Sequence, residues 1–203
     1  MGFSDNYIKD YNIYLGSRSP RRKQLLEGLG LGFKVWIRKE LSETYPDRLN
    51  PREIAEYLAR IKARPYLDDL KEKDILITAD TIVALGNEIL SKPENRISAI
   101  NSLVKLSGGI HSVITGVCLS SADKCSCFYA ETMVKFAELA LEEIELYVDR
   151  FEPYDKAGAY GIQEWIGFIG VERIEGSYFN VMGLPVQALY SALKRHTGYP
   201  GDH

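Results

Sequence analysis

The sequence predicts a mixed α/β protein, a twisted sheet with flanking helices. Three observations carry this. Short β-type segments alternate with amphipathic helical ones over the first third of the chain, as βαβ units require. Residues 74–79 (DILITA), apolar but for Asp74 and Thr78, read as a continuous strand of the kind covered on both faces. Two long strand-like segments, 112–120 and 125–136, are then separated by only a short turn, which a purely parallel sheet does not contain. The 203 residues are 45% hydrophobic and 26% charged, with ordinary glycine and proline content, which excludes a disordered, collagenous or disulfide-scaffold chain.

The elements follow in order. Residues 1–10 read as a polar lead-in. Residues 11–15 (YNIYL) are a short strand ending at Gly16. Ser19-Pro20 opens a helix, with serine as N-cap and proline at the first helical position; Leu25, Leu26 and Leu29 supply its buried stripe. Gly28, Gly30 and Gly32 close it before a strand at 33–37. These glycines follow a helix and precede a strand, the reverse of a dinucleotide fingerprint, so they read as a helix C-cap. Asn50-Pro51 opens a second helix running to Ala63. After the apolar run, residues 81–85 continue the strand and Gly86-Asn87 turns into 88–90. A helix at 98–106 precedes a hairpin about Ala122-Asp123. Residues 141–150 are an amphipathic helix, 165–174 and 178–181 read as strands, and 185–194 as the last helix. Residues 11–195 form one domain and 196–203 a tail.

Net charge is −3, against the basic balance of a protein living on nucleic-acid backbone. No apolar run approaches the length that spans a bilayer, and the polar N-terminus lacks a signal-peptide core. The three cysteines, Cys118, Cys125 and Cys127, are odd in number and confined to one segment, so no disulfide framework is expected and the reading is cytoplasmic. Their spacing, one CxC and a longer gap, lacks the paired CxxC of zinc sites.

The chemistry concentrates in three places. Ser17-Arg18-Ser19-Pro20-Arg21-Arg22 lies between a strand end and a helix N-terminus, where anions bind. Two arginines there oppose the helix dipole unless an anion is present, and their forked donors suit phosphate oxygens. Asp80 leaves a buried apolar strand, costly without a partner or a task; with Glu43 it could hold Mg²⁺ or activate a water. Lys62, Lys92 and Lys156 would neutralise further phosphate charge if they converge. His111 reads as structural, and Glu142, Glu143 and Glu145 as a solvated helix face.

These pieces resemble the Maf family, the septum formation inhibitor-like proteins. The resemblance rests on LGSRSPRRKQLLEGLG, then Glu43, Ala59-Arg60-Ile61-Lys62-Ala63, ADTIV at 79–83, Lys92-Pro93, SGGIHSVITGV at 107–117, DKAGAYGIQ at 155–163 and GSYFNVMGLP at 176–185, across residues 11–195. It implies an elongated, two-lobed fold with a central cleft, similar to the inosine triphosphate pyrophosphatases. It implies a divalent-metal-dependent nucleoside triphosphate pyrophosphatase, releasing monophosphate and pyrophosphate. GAYGIQ points to the dTTP/UTP group. Asp80 carries over as the proton acceptor, Glu43 and Asp80 as metal residues, and Arg21, Thr81 and Gln163 as selectivity residues. Ser17, Arg21, Arg22, Lys62, Lys92 and Lys156 would then bind phosphate, with Mg²⁺ or Mn²⁺ as cofactor. Gly16, Leu90-Ser91 and Met182 depart from the usual pattern without touching a charged site residue. A homodimer is common in the family; neither a membrane nor a nucleic-acid partner is expected. Two other readings compete: a nucleotide-binding regulator of cell division without hydrolysis, and a nucleic-acid binder through SPRRK.

Overall fold

The computed structural model describes residues 8–39 and 43–199. The expected lead-in at 1–10 and tail at 196–203 lie partly outside them. The strands are β1 (Asn12–Leu15), β2 (Phe33–Val35), β3 (Asp74–Leu85), β4 (Glu88–Leu90), β5 (Ile110–Ser120), β6 (Cys125–Phe136) and β7 (Val171–Glu175). The helices are α1 (Pro20–Gly28), α2 (Pro51–Ala63), α3 (Arg96–Leu106), α4 (Leu141–Phe151), α5 (Trp165–Gly170), α6 (Tyr178–Met182) and α7 (Val186–Thr197). The strands form one seven-stranded sheet in the order β2-β1-β3-β5-β6-β7, with β4 paired to β3. It is mixed: β1 runs parallel to β2 and β3, while β3/β4 and β6/β7 are antiparallel.

The chain divides into two compact units whose boundaries fall inside β3, β5 and β6. The first holds the described residues through Asp80, Thr115–Ala130 and those from Gly183 onward. Its helices start where their caps dictate. Ser19 accepts the Arg22 amide at α1, and Asn50 with Glu53 makes a reciprocal capping box at α2. Gly30, with φ of 70°, closes α1 by donating to Glu27 O at 2.9 Å, as the glycine run predicts. α2 lies so close over β5 that a Cβ on Gly116 would stand 2.1 Å from the Ala55 carbonyl oxygen. α7 runs on to Thr197 and buries His196, three residues beyond the expected helix end.

The second unit holds Thr81–Ile114 and Glu131–Met182. Leu103, Leu106, Phe136, Ile144, Tyr147 and Ile166 centre its core. Two expected strands are helices here. In 165–170 the buried residues are Ile166 and Gly170, four apart, which is helical spacing, and the strand begins only at Val171. At 178–182 the chain turns because Ser177 Oγ accepts the Asn180 amide at 3.3 Å, and Asn180 then donates inward to Val113 O and Thr132 Oγ1, each at 3.0 Å. Aromatic and branched residues read as β by propensity, and packing overrides them.

His111 confirms its structural reading. It is 1% exposed, meets Tyr160 Oη at 2.8 Å through Nε2, and packs edge-to-face against Phe136. Burial lowers its pKa from 6.5 to about 4. The unfolded imidazole therefore takes its proton at higher pH than the folded one. The associated stability is fully present above pH 6.5 and is lost as pH falls to about 4, a difference of order 3 kcal/mol. Urea unfolding at pH 7 and pH 4 should show a smaller pH-dependent loss in His111→Phe than in the wild type; equal losses would contradict this assignment.

Candidate active site

Parallel pairing of β1 with β3 sets Leu15 beside Ile77, and the Gly16 amide extends the ladder by donating to Ile77 O at 2.9 Å. The chain therefore leaves β1 alongside the Thr78–Asp80 stretch of β3. Ser17 Oγ accepts the Ser19 amide at 3.2 Å and an Arg22 Nη1 hydrogen bond at 3.4 Å. Arg22 Nε donates to Gly183 O at 2.9 Å. These contacts set the plane of the half-buried Arg22 guanidinium in the first turn of α1, a turn that carries no acidic residue of its own. Burial holds its pKa below the ordinary arginine value, with Asp80 and Glu43 pulling it back up and Arg21 adding to the depression. Arginine stays cationic throughout this range.

β3 faces α2 at alternate residues. Thr78 Oγ1 donates to Ala59 O at 2.8 Å, and two residues on, Asp80 accepts from Lys62 Nζ. Ala59 and Lys62 are three apart and so share one helix face. Lys62 lies in the last turn of α2, where a cation complements the helix dipole. Its Nζ also meets Glu43 Oε1 at 2.8 Å, so one ammonium stands between two carboxylates. The Asp80 side chain is 8% exposed and that of Glu43 41%. Ser17, Arg22, Glu43, Lys62 and Asp80 thus fall in one connected cluster within the first unit, with Arg21 one residue away on α1.

The remaining predicted residues belong to the second unit. Thr81 follows Asp80 on β3, and Lys92 is exposed after β4. Lys156, the last of the expected phosphate residues, has a side chain 9% exposed, and its Nζ meets Asp155 at 2.8 Å and Glu164 at 3.2 Å. Glu164 also accepts from Tyr147 Oη, which in turn accepts the Gly161 amide at 3.1 Å. Burial, then the Glu164 carboxylate, raises the Tyr147 pKa, so this phenol stays protonated. A Cβ on Gly161 would lie 2.7 Å from the Glu164 carboxyl carbon, so a side chain there would push that carboxylate away from its present place. Gln163 sits inside this braced turn, and its Oε1 is buried without a hydrogen-bond partner among the described residues. Sequence reasoning missed Gly183, Tyr147 and Glu164. A backbone acceptor leaves no side-chain signal, and Tyr147 reads simply as the apolar face of α4.

The donor set of Glu43 and Asp80 suits a hard divalent cation. Mg²⁺ takes one or two carboxylates and fills its other positions with water and phosphate oxygens. Among the described residues, no third carboxylate, imidazole or thiolate joins these two.

A family model described as Maf-like protein matches residues 12–196. A protein of Parabacteroides distasonis named dTTP/UTP pyrophosphatase is 51% identical over 187 residues, covering 92% of this chain and 97% of its own. One of the same name from Phocaeicola vulgatus is 53% identical over 188 residues, covering 93% and 97%. Among solved structures, the Staphylococcus aureus Ham1 protein superposes with a TM-score of 0.52 at 15% identity, covering 91% of this chain and 99% of that one, which shows a common fold.

The brace around Gln163 generates a stability prediction. Tyr147→Phe leaves the buried Gly161 amide and one Glu164 oxygen without their partner, at about 1–3 kcal/mol. The urea midpoint should fall with an unchanged slope; an unchanged midpoint would show that the hydroxyl does not brace the turn.

Proposed function

This chain belongs to the Maf-like protein family, and on that premise we propose that it hydrolyses dTTP and UTP to the monophosphate and pyrophosphate. The observation that carries the reading is the buried Asp80, held by Lys62 beside Glu43, next to the cationic first turn of α1. The relatives at about half identity, named for this activity, supply the substrate. They favour it over a nucleotide-binding regulator that does not hydrolyse.

The chain's own residues divide the work. Arg21, Arg22, Lys62 and Lys92 neutralise the triphosphate, with Arg22 pre-oriented by Gly183 O and Ser17 Oγ. Glu43 and Asp80 would hold a divalent cation, Mg²⁺ or Mn²⁺, which supplies Lewis acidity at the phosphate oxygens when bound. Asp80 takes the proton of the water that attacks the α-phosphorus. Lys62 holds that carboxylate in place at rest. Lys156, with Asp155 and Glu164, holds the 161–164 turn and so presents Gln163. The Gln163 acceptor suits the N3–H of uracil or thymine, and its amide N–H₂ suits O4. Thr81 completes the selectivity set with Arg21 and Gln163. Among the described residues, no helix is long and apolar enough to cross a membrane. We infer that the enzyme works in the cytoplasm, because its proposed substrates are drawn from the nucleotide pools.

Two variants test this on a panel of nucleoside triphosphates with Mg²⁺, reading pyrophosphate and monophosphate. Asp80→Asn should lower kcat about a hundredfold or more with KM changed only a few-fold, because general-base catalysis contributes roughly 10²–10⁴. Near-normal turnover would remove Asp80 from the chemistry. Gln163→Glu replaces the amide donor by an acceptor and should lower kcat/KM for dTTP and UTP about ten- to a hundredfold more than for purine substrates. A wild-type preference for ATP or GTP, or an unchanged pyrimidine-to-purine ratio in the variant, would overturn the pocket assignment.

A further inference from the structure

The end of the β5–β6 hairpin gathers all three cysteines of the chain. The Ser121 amide donates to Lys124 O at 2.9 Å and closes the turn. That closure sets Cys118 opposite Cys127, with Cα atoms 4.1 Å apart, and Ser120 opposite Cys125. Residues two apart on a strand share a face, so Cys118, Ser120, Cys125 and Cys127 all point the same way. The three sulfurs lie within 4.8 Å of one another. Cys125 Sγ is 3.2 Å from Cys118 Sγ and 3.9 Å from Cys127 Sγ, and Ser120 Oγ is 3.6 Å from Cys125 Sγ. Cys118 and Cys127 are joined as a disulfide, and Cys125 is a free, exposed thiol.

We propose that this hairpin end, once reduced, is a three-thiolate site for a soft metal ion of the Zn²⁺ or Cu⁺ class. Four sulfurs around zinc at 2.3 Å stand about 3.8 Å apart, and the Cys125–Cys127 separation, 3.9 Å, is close to this value. Three sulfurs on two paired strands need only small side-chain rotations to converge on one centre, since the backbone register already holds them together. A disulfide employs two of the three; a metal centre employs all of them. The exposed side of Cys125 leaves a fourth position to water. Among the described residues, His196 is committed elsewhere: it meets Ser121 Oγ at 3.1 Å through Nε2 and Ser126 Oγ at 3.3 Å through Nδ1, and Ser126 projects from the opposite face of β6. The donor set is therefore sulfur, which selects soft ions over the hard cation suited to Glu43 and Asp80.

The chemistry balances. A dithiol reductant gives two electrons and two protons to the Cys118–Cys127 bond; both sulfurs become thiols and the reductant becomes a disulfide. Metal binding then releases the thiol protons as thiolate–metal bonds form. The oxidised chain has two of its three ligands tied up, so metal loading is linked to the thiol state. No residue proposed for hydrolysis takes part.

The test uses the full chain, reduced with a phosphine, freed of reductant without oxygen and titrated with Zn²⁺ against a chromophoric chelator. One ion per chain should bind, and Cys125→Ser, a change at an exposed position, should weaken binding at least tenfold. In the wild type, bound Zn²⁺ should protect all three cysteines from alkylation, read by mass spectrometry. If the reduced chain binds no Zn²⁺, if Cys125→Ser binds as tightly as wild type, or if only Cys118 and Cys127 are protected, the hairpin is a dithiol–disulfide pair and not a metal site.

Discussion

The structure of the site depends on one charge placed where α2 meets β3. Asp80 lies within a strand otherwise covered by apolar residues, and an isolated carboxylate there would be expelled or protonated. Lys62 makes the position tenable. Its own placement depends on how α2 sits on the strand, which the Thr78 hydroxyl pins to the Ala59 carbonyl and the Gly116 gap permits. A substitution that shifted α2 by a fraction of a turn would leave Asp80 buried without its counter-ion. The packing of α2 on β3 and the pairing of the buried acid are therefore the same problem. Lysine rather than arginine suits this role, because a compact ammonium on a flexible stem can serve Asp80 and Glu43 together.

Much of this was legible in the residues. Ser19-Pro20 and Asn50-Pro51 are strong local start signals, and both helices begin there. The apolar run at 74–79 announced a strand covered on both faces, and the acid at its end stood out because burial makes such residues costly. What stayed hidden has a common cause. Trp165–Gly170 and Tyr178–Met182 carry strand-favouring side chains, and only their burial at helical spacing, set by the rest of the second unit, decides otherwise. The Arg22–Gly183 bond joins residues 161 apart in sequence, and its acceptor is backbone. Lys156 reads as one more surface cation until Glu164 is seen against it.

The cysteines show the same limit from another side. In linear sequence they are a CxC and a distant third, the wrong spacing for a metal. Strand pairing folds the distant one back beside the pair, because positions 118 and 127 face each other across a tight turn. Spacing rules written for loops and helices do not apply to ligands brought together by register.

Two treatments of buried polarity now stand side by side. In the first unit the buried charge is fully answered: Asp80 by Lys62, and Lys62 by Glu43 as well. In the second, Gln163 Oε1 is buried without a hydrogen-bond partner among the described residues, although the turn that carries it is braced by Tyr147, Glu164 and Lys156. An unmet buried acceptor costs about 1–3 kcal/mol, and a loose turn would rotate it toward water to recover that. The Tyr147–Glu164–Lys156 brace prevents such relaxation. The cost is thus held in place, and under the function proposed above the N3–H of a pyrimidine would relieve it. A rigid turn around an unsatisfied carbonyl discriminates by what the ligand offers, and a ring that presents an N–H at that point gains what one lacking it forgoes.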